Sequence, residues 1–303
     1  LIFNYLKAIL AICACFIIFT NFKKVNLLSI SFSMSFSFLL MYFYQPTILD
    51  KFILFEGGND GLLYVHFAHL ITDNLISKDY LEAFRGGESA YDLMPFYRYM
   101  WVLNYIIFDE SPWIIFFTIV FIPLVLYSII KNLLSKSWAI FFIICWYFIP
   151  LFEAFGFFHF YYIKLAMRGF AEPLSNLLFF LSIAIITHIY KTKNSLITNE
   201  YINYFLIGLL LSTALGLRAN ILPAFSVIIF YLSVIILKER KYSTFFYLAA
   251  GLTPCLIMPV HNFLFTGEFI PLTIAAYKDW NLGAKHSDYM MLIISLLKFN
   301  IDL

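Results

Sequence analysis

The chain has 303 residues, of which 62% are hydrophobic and 13% are charged. Soluble domains are about half apolar and a quarter charged, so this composition excludes an ordinary water-soluble enzyme and predicts a polytopic membrane protein. The 20 basic residues nearly balance the 18 acidic residues, and we expect no nucleic-acid partner at a net charge of +2.

Long apolar runs predict an all-α fold, a polytopic transmembrane helical bundle of about nine spans. We treat residues 1–303 as a single membrane domain. Because the chain begins at Leu1 and ends within an apolar run, we expect it to be a fragment of a longer protein. The runs lie near 1–20, 25–44, 113–130, 138–152, 174–190, 201–217, 221–237 and 245–265, with a ninth from about 289.

Basic residues fall in every second loop between these runs, which is the pattern of cytoplasmic loops under the positive-inside rule. They are Lys23, Lys24, Lys131, Lys136, Lys191, Lys193, Lys238, Arg240 and Lys241. The other loops hold most of the acidic residues and are predicted on the opposite, outer face. The longest of them, residues 45–112, is predicted to be one large outer loop that carries interfacial helices.

This outer loop contains the acidic, glycine-rich motif EGGNDG, residues 56–61. Carboxylates at the edge of a bilayer are costly unless they are solvated or paired, so Glu56 and Asp60 point to function more strongly than they would on a soluble surface. The motif is therefore the first place to look for chemistry.

The segment 62–76 has the amphipathic pattern of a helix that lies along the membrane interface. Leu63, Phe67, Leu70 and Ile71 are predicted to share its apolar face. His66, His69 and Asp73 share the opposite face, where they form either a metal site or, as the commoner alternative, a solvated polar stripe. Aromatic residues crowd the following segment 95–108, either as an aromatic belt or as a platform for sugar stacking.

Four of the five arginines lie on the predicted outer face: Arg85, Arg98, Arg168 and Arg218. The planar guanidinium group binds carboxylates and phosphates bidentately, so the four either hold loops by pairing with nearby acids or bind an anionic, phosphorylated ligand. Arg168 and Glu172 are four residues apart and could pair with each other on a helix. Arg218, between two predicted spans, either reaches lipid head groups or binds a ligand phosphate.

Several segments resemble the integral-membrane glycosyltransferases of the GT-C class, and in particular a bacterial subgroup. These segments are GGNDGL at 57–62, EAFRGGESAYDLMPFYRYMW at 82–101, RGFAEP at 168–173 and LRAN at 217–220. Together they cover roughly residues 50–225. Enzymes of this class use polyprenyl-phosphate sugars as donors.

The resemblance implies transfer of a hexosyl or pentosyl group to a glycan, lipid or protein acceptor at the periplasmic face of the bacterial inner membrane. It implies that Asp60 is the general base for the acceptor hydroxyl, with Glu56 in support. The residues predicted to bind substrate are Arg98, His159, Arg168, Glu172 and Arg218. Asn59 stands where many members of the class carry a second acid, so a divalent metal ion as cofactor is left open.

Three other functions are considered. A transporter or flippase of lipid-linked glycans or other anions would place ionisable groups near the membrane midplane, whereas the predicted spans are nearly free of charge. An O-antigen-type polymerase or ligase usually has its large outer loop late in the chain. A non-catalytic scaffold leaves the clustering of arginine and carboxylate on one face unexplained.

Overall fold

A computed structural model describes residues 59–108, 113–152, 156–192 and 200–274, together with parts of a helix between residues 29 and 39. The described residues are helical apart from one small antiparallel ladder, which confirms the all-α prediction. Glu56 and the predicted spans at 1–20 and from 289 lie outside the described residues, as does most of the span at 25–44.

The elements follow one another in short steps along the chain. They are α1 (Asn59–Ile76), α2 (Tyr80–Arg85), α3 (Phe96–Phe108), α4 (Trp113–Leu133), α5 (Lys136–Phe148), β1 (Pro150–Phe152), β2 (Gly156–Phe157), α6 (Phe158–Met167), α7 (Glu172–Thr192), α8 (Glu200–Leu217), a 3-10 turn (Ala219–Ile221), α9 (Leu222–Lys238), α10 (Tyr242–Gly251), a second 3-10 turn (Thr253–Leu256) and α11 (Ile257–Thr266). Strands β1 and β2 pair antiparallel, with Pro150 opposite Phe157.

Three helices of the described part are long and apolar enough to cross a membrane: Glu172–Thr192, Glu200–Leu217 and Ala219–Lys238. The number rises to four if α10 and the following segment Thr253–Thr266 count as one span, with a bend of 47° between them. The described residues therefore do not support the prediction of nine spans.

Two predicted spans differ from the structure where prolines interrupt the helix. Helix α5 has 13 residues and so is about 20 Å long, less than the 30 Å of a bilayer core. It ends because Ile149, at ψ 120°, precedes Pro150, and a residue before proline is pushed out of the helical region. The predicted span 245–265 breaks at the turn that contains Pro254, which lacks the N–H that a continuous helix needs.

Helices α8 and α10 pack at backbone distance because glycines face each other at their crossing. A Cβ atom on Gly208 would lie 2.5 Å from the Leu248 carbonyl oxygen, and one on Gly251 would meet the backbone of α8. The Ser212 hydroxyl also donates a hydrogen bond of 3.0 Å to the Gly251 carbonyl. Small residues at a helix contact allow this approach and stabilise it by van der Waals packing.

We call residues 59–108, which form α1 to α3 and their turns, the N-terminal layer. Helix α1 contains the segment 62–76 that was predicted to be helical, but its buried face differs from the prediction. Phe67 and Ile71 are buried, whereas Leu63 and Leu70 are 38% and 36% exposed. The buried stripe is centred on Ala68 instead, whose small side chain lies at 0% exposure where α2 and α3 pack.

The aromatic residues of α3 are core residues. Phe96, Tyr97 and Trp101 are buried, and the Tyr97 ring lies edge-on to Tyr64 at 5.0 Å between centroids. Neither an aromatic belt nor an open stacking platform describes these side chains. Their density instead reflects the large apolar area that aromatic rings bury between α1 and α3.

Candidate functional site

One buried apolar cluster joins the chain segments that carry most of the predicted site residues. It contains Tyr64, Met167, Ala171 and Leu217. Each of these is one residue or one helical turn from a charged residue predicted for the site, namely Asp60, Arg168, Glu172 and Arg218. We call these four charged residues the charged rim, because they border one common core.

Glu172 and Arg218 form an ion pair between Oε1 and Nη2. Pairing of Glu172 is thus confirmed, but its partner is Arg218 and not Arg168, four residues away. Glu172 begins α7, where the positive end of the helix favours a carboxylate, and Arg218 directly follows α8. The second carboxylate oxygen, Oε2, is buried and has no hydrogen-bond partner among the described residues. Within the described residues, Glu172 Oε2 therefore remains able to accept a hydrogen bond.

Arg168 is the rim cation that has no side-chain partner among the residues that the structure describes. Helix α6 ends just before it, and Gly169, at φ 76°, turns the chain towards α7. The Arg168 side chain is half-buried, and within the described ranges its guanidinium group makes no ion pair or hydrogen bond. A half-buried cation of this kind is available to an anionic ligand.

Asp60 lies in the first turn of α1 and is partly exposed. The motif at 56–61 was predicted as a loop, but the helix already begins at Asn59, in keeping with the preference of Asn and Asp for helix N-termini. The carboxylate is thus held by a helix and remains accessible. Glu56 lies outside the described residues, so its supporting role stays a prediction.

Tyr64 belongs to the buried cluster that the rim residues border, and its place in the site was not predicted from the sequence. It is only 3% exposed. Burial raises the pKa of its hydroxyl, the positive charges of Arg218 and Arg98 oppose that rise, and the negative charges of Asp60 and Glu172 add to it. Its position one helical turn after Asp60, on the same face, was the available signal.

Arg98 lies deeper and has protein partners. Its side chain is 1% exposed, and Nη2 pairs with Glu88 Oε2 at 2.8 Å. Nη1 donates a hydrogen bond of 3.0 Å to the Gly86 carbonyl, and the guanidinium carbon lies 4.1 Å from the centre of the Phe67 ring. These contacts hold the turn at Gly86 and Gly87, so they favour a structural role; substrate binding by Arg98 stays a prediction.

His159 is fully buried. Its Nδ1 accepts a hydrogen bond from the Trp146 indole N–H at 2.9 Å, which leaves the proton on Nε2, 2.9 Å from the Ser37 hydroxyl oxygen. Burial lowers the pKa of His159 to about 3, so the ring is neutral at physiological pH. Both nitrogens are occupied by protein groups, and this does not favour the predicted contact with substrate.

The described residues contain no group of three His, Cys, Asp or Glu side chains that could hold a metal ion. The residues of the polar stripe on α1 are exposed, as the alternative of a solvated polar stripe predicts, and the His69 ring lies 4.6 Å from the ring of Tyr105. The stripe is therefore not a metal site within this part of the chain.

A second contact that the sequence argument missed joins the N-terminal layer to α11. The Tyr91 ring stacks on His261 with centroids 3.7 Å apart, and the Tyr91 N–H donates to Asn262 Oδ1 at 3.1 Å. Asn262 in turn donates from Nδ2 to the carbonyls of Ile270 and Leu272, at 3.0 and 2.8 Å. His261 and Asn262 were predicted to be part of an uninterrupted span, and instead they hold the loop after α2.

Among the described residues, the charged rim thus combines an accessible carboxylate, an unpaired guanidinium group and an ion pair with a free oxygen, at the border of the cluster that contains Tyr64. Such a set can accept a proton from one ligand group and hold an anion on another. No family model, no curated protein and no solved structure matches this chain.

Proposed function

We propose that this chain is the membrane domain of a glycosyltransferase, with a polyprenyl-phosphate sugar as donor and a glycan, lipid or protein as acceptor. In this proposal the chain lies in the inner membrane of a bacterial cell and the charged rim faces the periplasm, as the distribution of basic loops predicts. The observation that carries the proposal is that Asp60, Glu172 and Arg218 border one buried cluster, which contains Tyr64, and that Glu172 and Arg218 form an ion pair there. These residues come from three separate segments of the GT-C resemblance.

Asp60 is the proposed base. The oxygen of the acceptor hydroxyl forms a bond to the anomeric carbon of the sugar, and the bond between that carbon and the phosphate oxygen breaks. The bonding electrons leave with the polyprenyl phosphate, and the acceptor proton passes to the Asp60 carboxylate. Its partial exposure in the first turn of α1 supports this role, since the acceptor must reach it.

Arg168 and Arg218 are the proposed phosphate ligands. Positive charge placed at the departing phosphate stabilises the transition state, in which negative charge grows on that oxygen. Arg168 is the stronger candidate because its guanidinium group is unpaired in the described part of the chain. Arg218 must share its charge with Glu172.

The test of the base is a substitution that keeps the shape of the side chain and removes its charge. Membranes carrying the wild-type chain or Asp60→Asn are incubated with radiolabelled undecaprenyl-phosphate sugars, and label in the acceptor fraction is counted. We expect Asp60→Asn to lose transfer by at least about 100-fold, the usual contribution of a general base, at an unchanged protein level. The matched control is Asp73→Asn, the same change at an exposed position of the same helix. Near-normal transfer by Asp60→Asn would refute the assignment.

The phosphate role is tested separately. Arg168→Gln removes a cation without orphaning a described partner, so its effect on the donor is easily interpreted. We expect a raised KM for the donor lipid and an unchanged KM for the acceptor. An unchanged donor KM in Arg168→Gln would contradict the role of this residue.

A further inference from the structure

We propose that Tyr64 is a ligand-contacting residue, whose hydroxyl hydrogen-bonds a hydroxyl group of the bound sugar and thereby contributes to the choice of sugar. The inference rests on the proposed function, since it names a contact within the same site.

The packing of the Tyr64 ring fixes where its hydroxyl lies. The residue is 3% exposed, and its ring meets the Tyr97 ring edge-on at a centroid distance of 5.0 Å. It belongs to the same cluster as Ala171 and Leu217, which directly precede Glu172 and Arg218. A ring held on several sides offers its hydroxyl in one place, as a binding site requires.

The Tyr64 hydroxyl has no hydrogen-bond partner among the described residues. Other tyrosines of this protein differ in this respect. The hydroxyls of Tyr91 and Tyr99 are 2.6 Å apart, and the Tyr162 hydroxyl accepts from Asn176 at 3.0 Å. The Tyr64 hydroxyl oxygen is not one of the fully buried polar atoms without a partner, so a ligand group can reach it and form a hydrogen bond with it.

The charges near Tyr64 indicate which ligand group its hydroxyl contacts. Burial raises the pKa of Tyr64, so the hydroxyl keeps its proton and can both donate and accept. Asp60 and Glu172, which carry acceptors, and Arg218, which carries donors, border the same buried cluster and act on the hydroxyl electrostatically. This mixture matches sugar hydroxyls, which also donate and accept, whereas phosphate oxygens only accept and bind most strongly to cations. Tyr64 is therefore assigned to the sugar and Arg168 to the phosphate.

The experiment compares two tyrosine-to-phenylalanine variants in nanodiscs. The probes are undecaprenyl phosphate bearing glucose, mannose or arabinose and bare undecaprenyl phosphate, and the measurement is the Kd of each lipid. For the sugar that the wild type binds best, we expect Tyr64→Phe to weaken binding by about 3- to 10-fold, the effect of one net hydrogen bond. Its Kd for the bare lipid and its Tm should stay at the wild-type values.

Tyr99→Phe is the matched control, because its hydroxyl bonds to Tyr91 and to the Phe84 carbonyl, at 2.6 and 2.9 Å. Tyr99→Phe should lower the Tm and leave unchanged the ratio between the Kd of the bare lipid and the Kd of the preferred sugar-bearing lipid. A Tyr64→Phe variant with an unchanged ratio overturns the inference while the proposed function survives. Failure of the wild type to prefer any sugar-bearing lipid to the bare lipid refutes the proposed function, and the inference falls with it.

Discussion

Acid should destabilise this protein through one buried histidine, His159. The ring is neutral in the folded chain because burial lowers its pKa to about 3, while in the unfolded chain its pKa is about 6.5. Above pH 6.5 neither state binds the proton, and the stability is fully present. Between pH 6.5 and about pH 3 only the unfolded state binds it, so the stability falls as the pH falls.

The size of the effect follows from these two values. Each pH unit within that window costs about 1.4 kcal/mol, and integration from pH 7 to pH 5 gives a loss of about 2 kcal/mol from this one group. The perturbation is His159→Asn, which keeps an acceptor near the Trp146 N–H, 2.9 Å from Nδ1 in the wild type, and cannot be protonated. The variant will be less stable at pH 7, but its stability should depend less on pH.

The assay is urea unfolding in detergent micelles at pH 7, 6 and 5, followed by tryptophan fluorescence. The quantity compared is the change in unfolding free energy between pH 7 and pH 5, which should be about 2 kcal/mol smaller in His159→Asn than in the wild type. His66→Asn is the control, since His66 is exposed, and it should retain the wild-type dependence. Equal pH dependence in His159→Asn and the wild type would refute the claim that His159 is held neutral by burial.

Three further substitutions test the packing, each by its effect on Tm and on urea unfolding at pH 7. In Gly216→Ala the new Cβ would lie within 2.6 Å of atoms of the Phe96 ring, so we expect overpacking to lower the free energy of unfolding by about 1–3 kcal/mol. Adding Phe96→Leu should restore part of this stability, and an unchanged stability in Gly216→Ala would contradict the contact. Gly251→Ala should cost at least as much, because its Cβ meets the rigid backbone of α8. Arg98→Met should cost about 3 kcal/mol by leaving the Glu88 carboxylate unpaired, and a second change, Glu88→Gln, should recover part of the loss.

The long helices were predictable from the sequence because apolar runs such as those at 174–190 and 201–217 have few alternatives to a helix. The interruptions were also encoded, at Pro150 and Pro254, but hydropathy averaged over a window does not register a single proline. The predicted spans at 138–152 and 245–265 were therefore too long, and attention to residues before prolines would have shortened them.

The site was predictable in its residue types and not in its pairing. The spacing of Arg168 and Glu172 allowed a pair on one helix, but Gly169 ends α6 between them, and Glu172 reaches Arg218 instead. Such a contact depends on how α7 and α8 pack, which a spacing rule does not contain. Tyr64 was overlooked for a similar reason, since a tyrosine gains significance only from the charges that the fold brings to it.

The bend of 47° between α10 and α11 has a mechanical consequence. Before the bend, Gly251 packs closely against the backbone of α8. Beyond the bend, His261 stacks on Tyr91 of the N-terminal layer, and Asn262 accepts a hydrogen bond from the Tyr91 N–H. One continuous stretch of chain thus contacts both parts, and the N-terminal layer also shares a buried cluster with α6, α7 and α8. The layer and these helices should therefore unfold in a single cooperative transition.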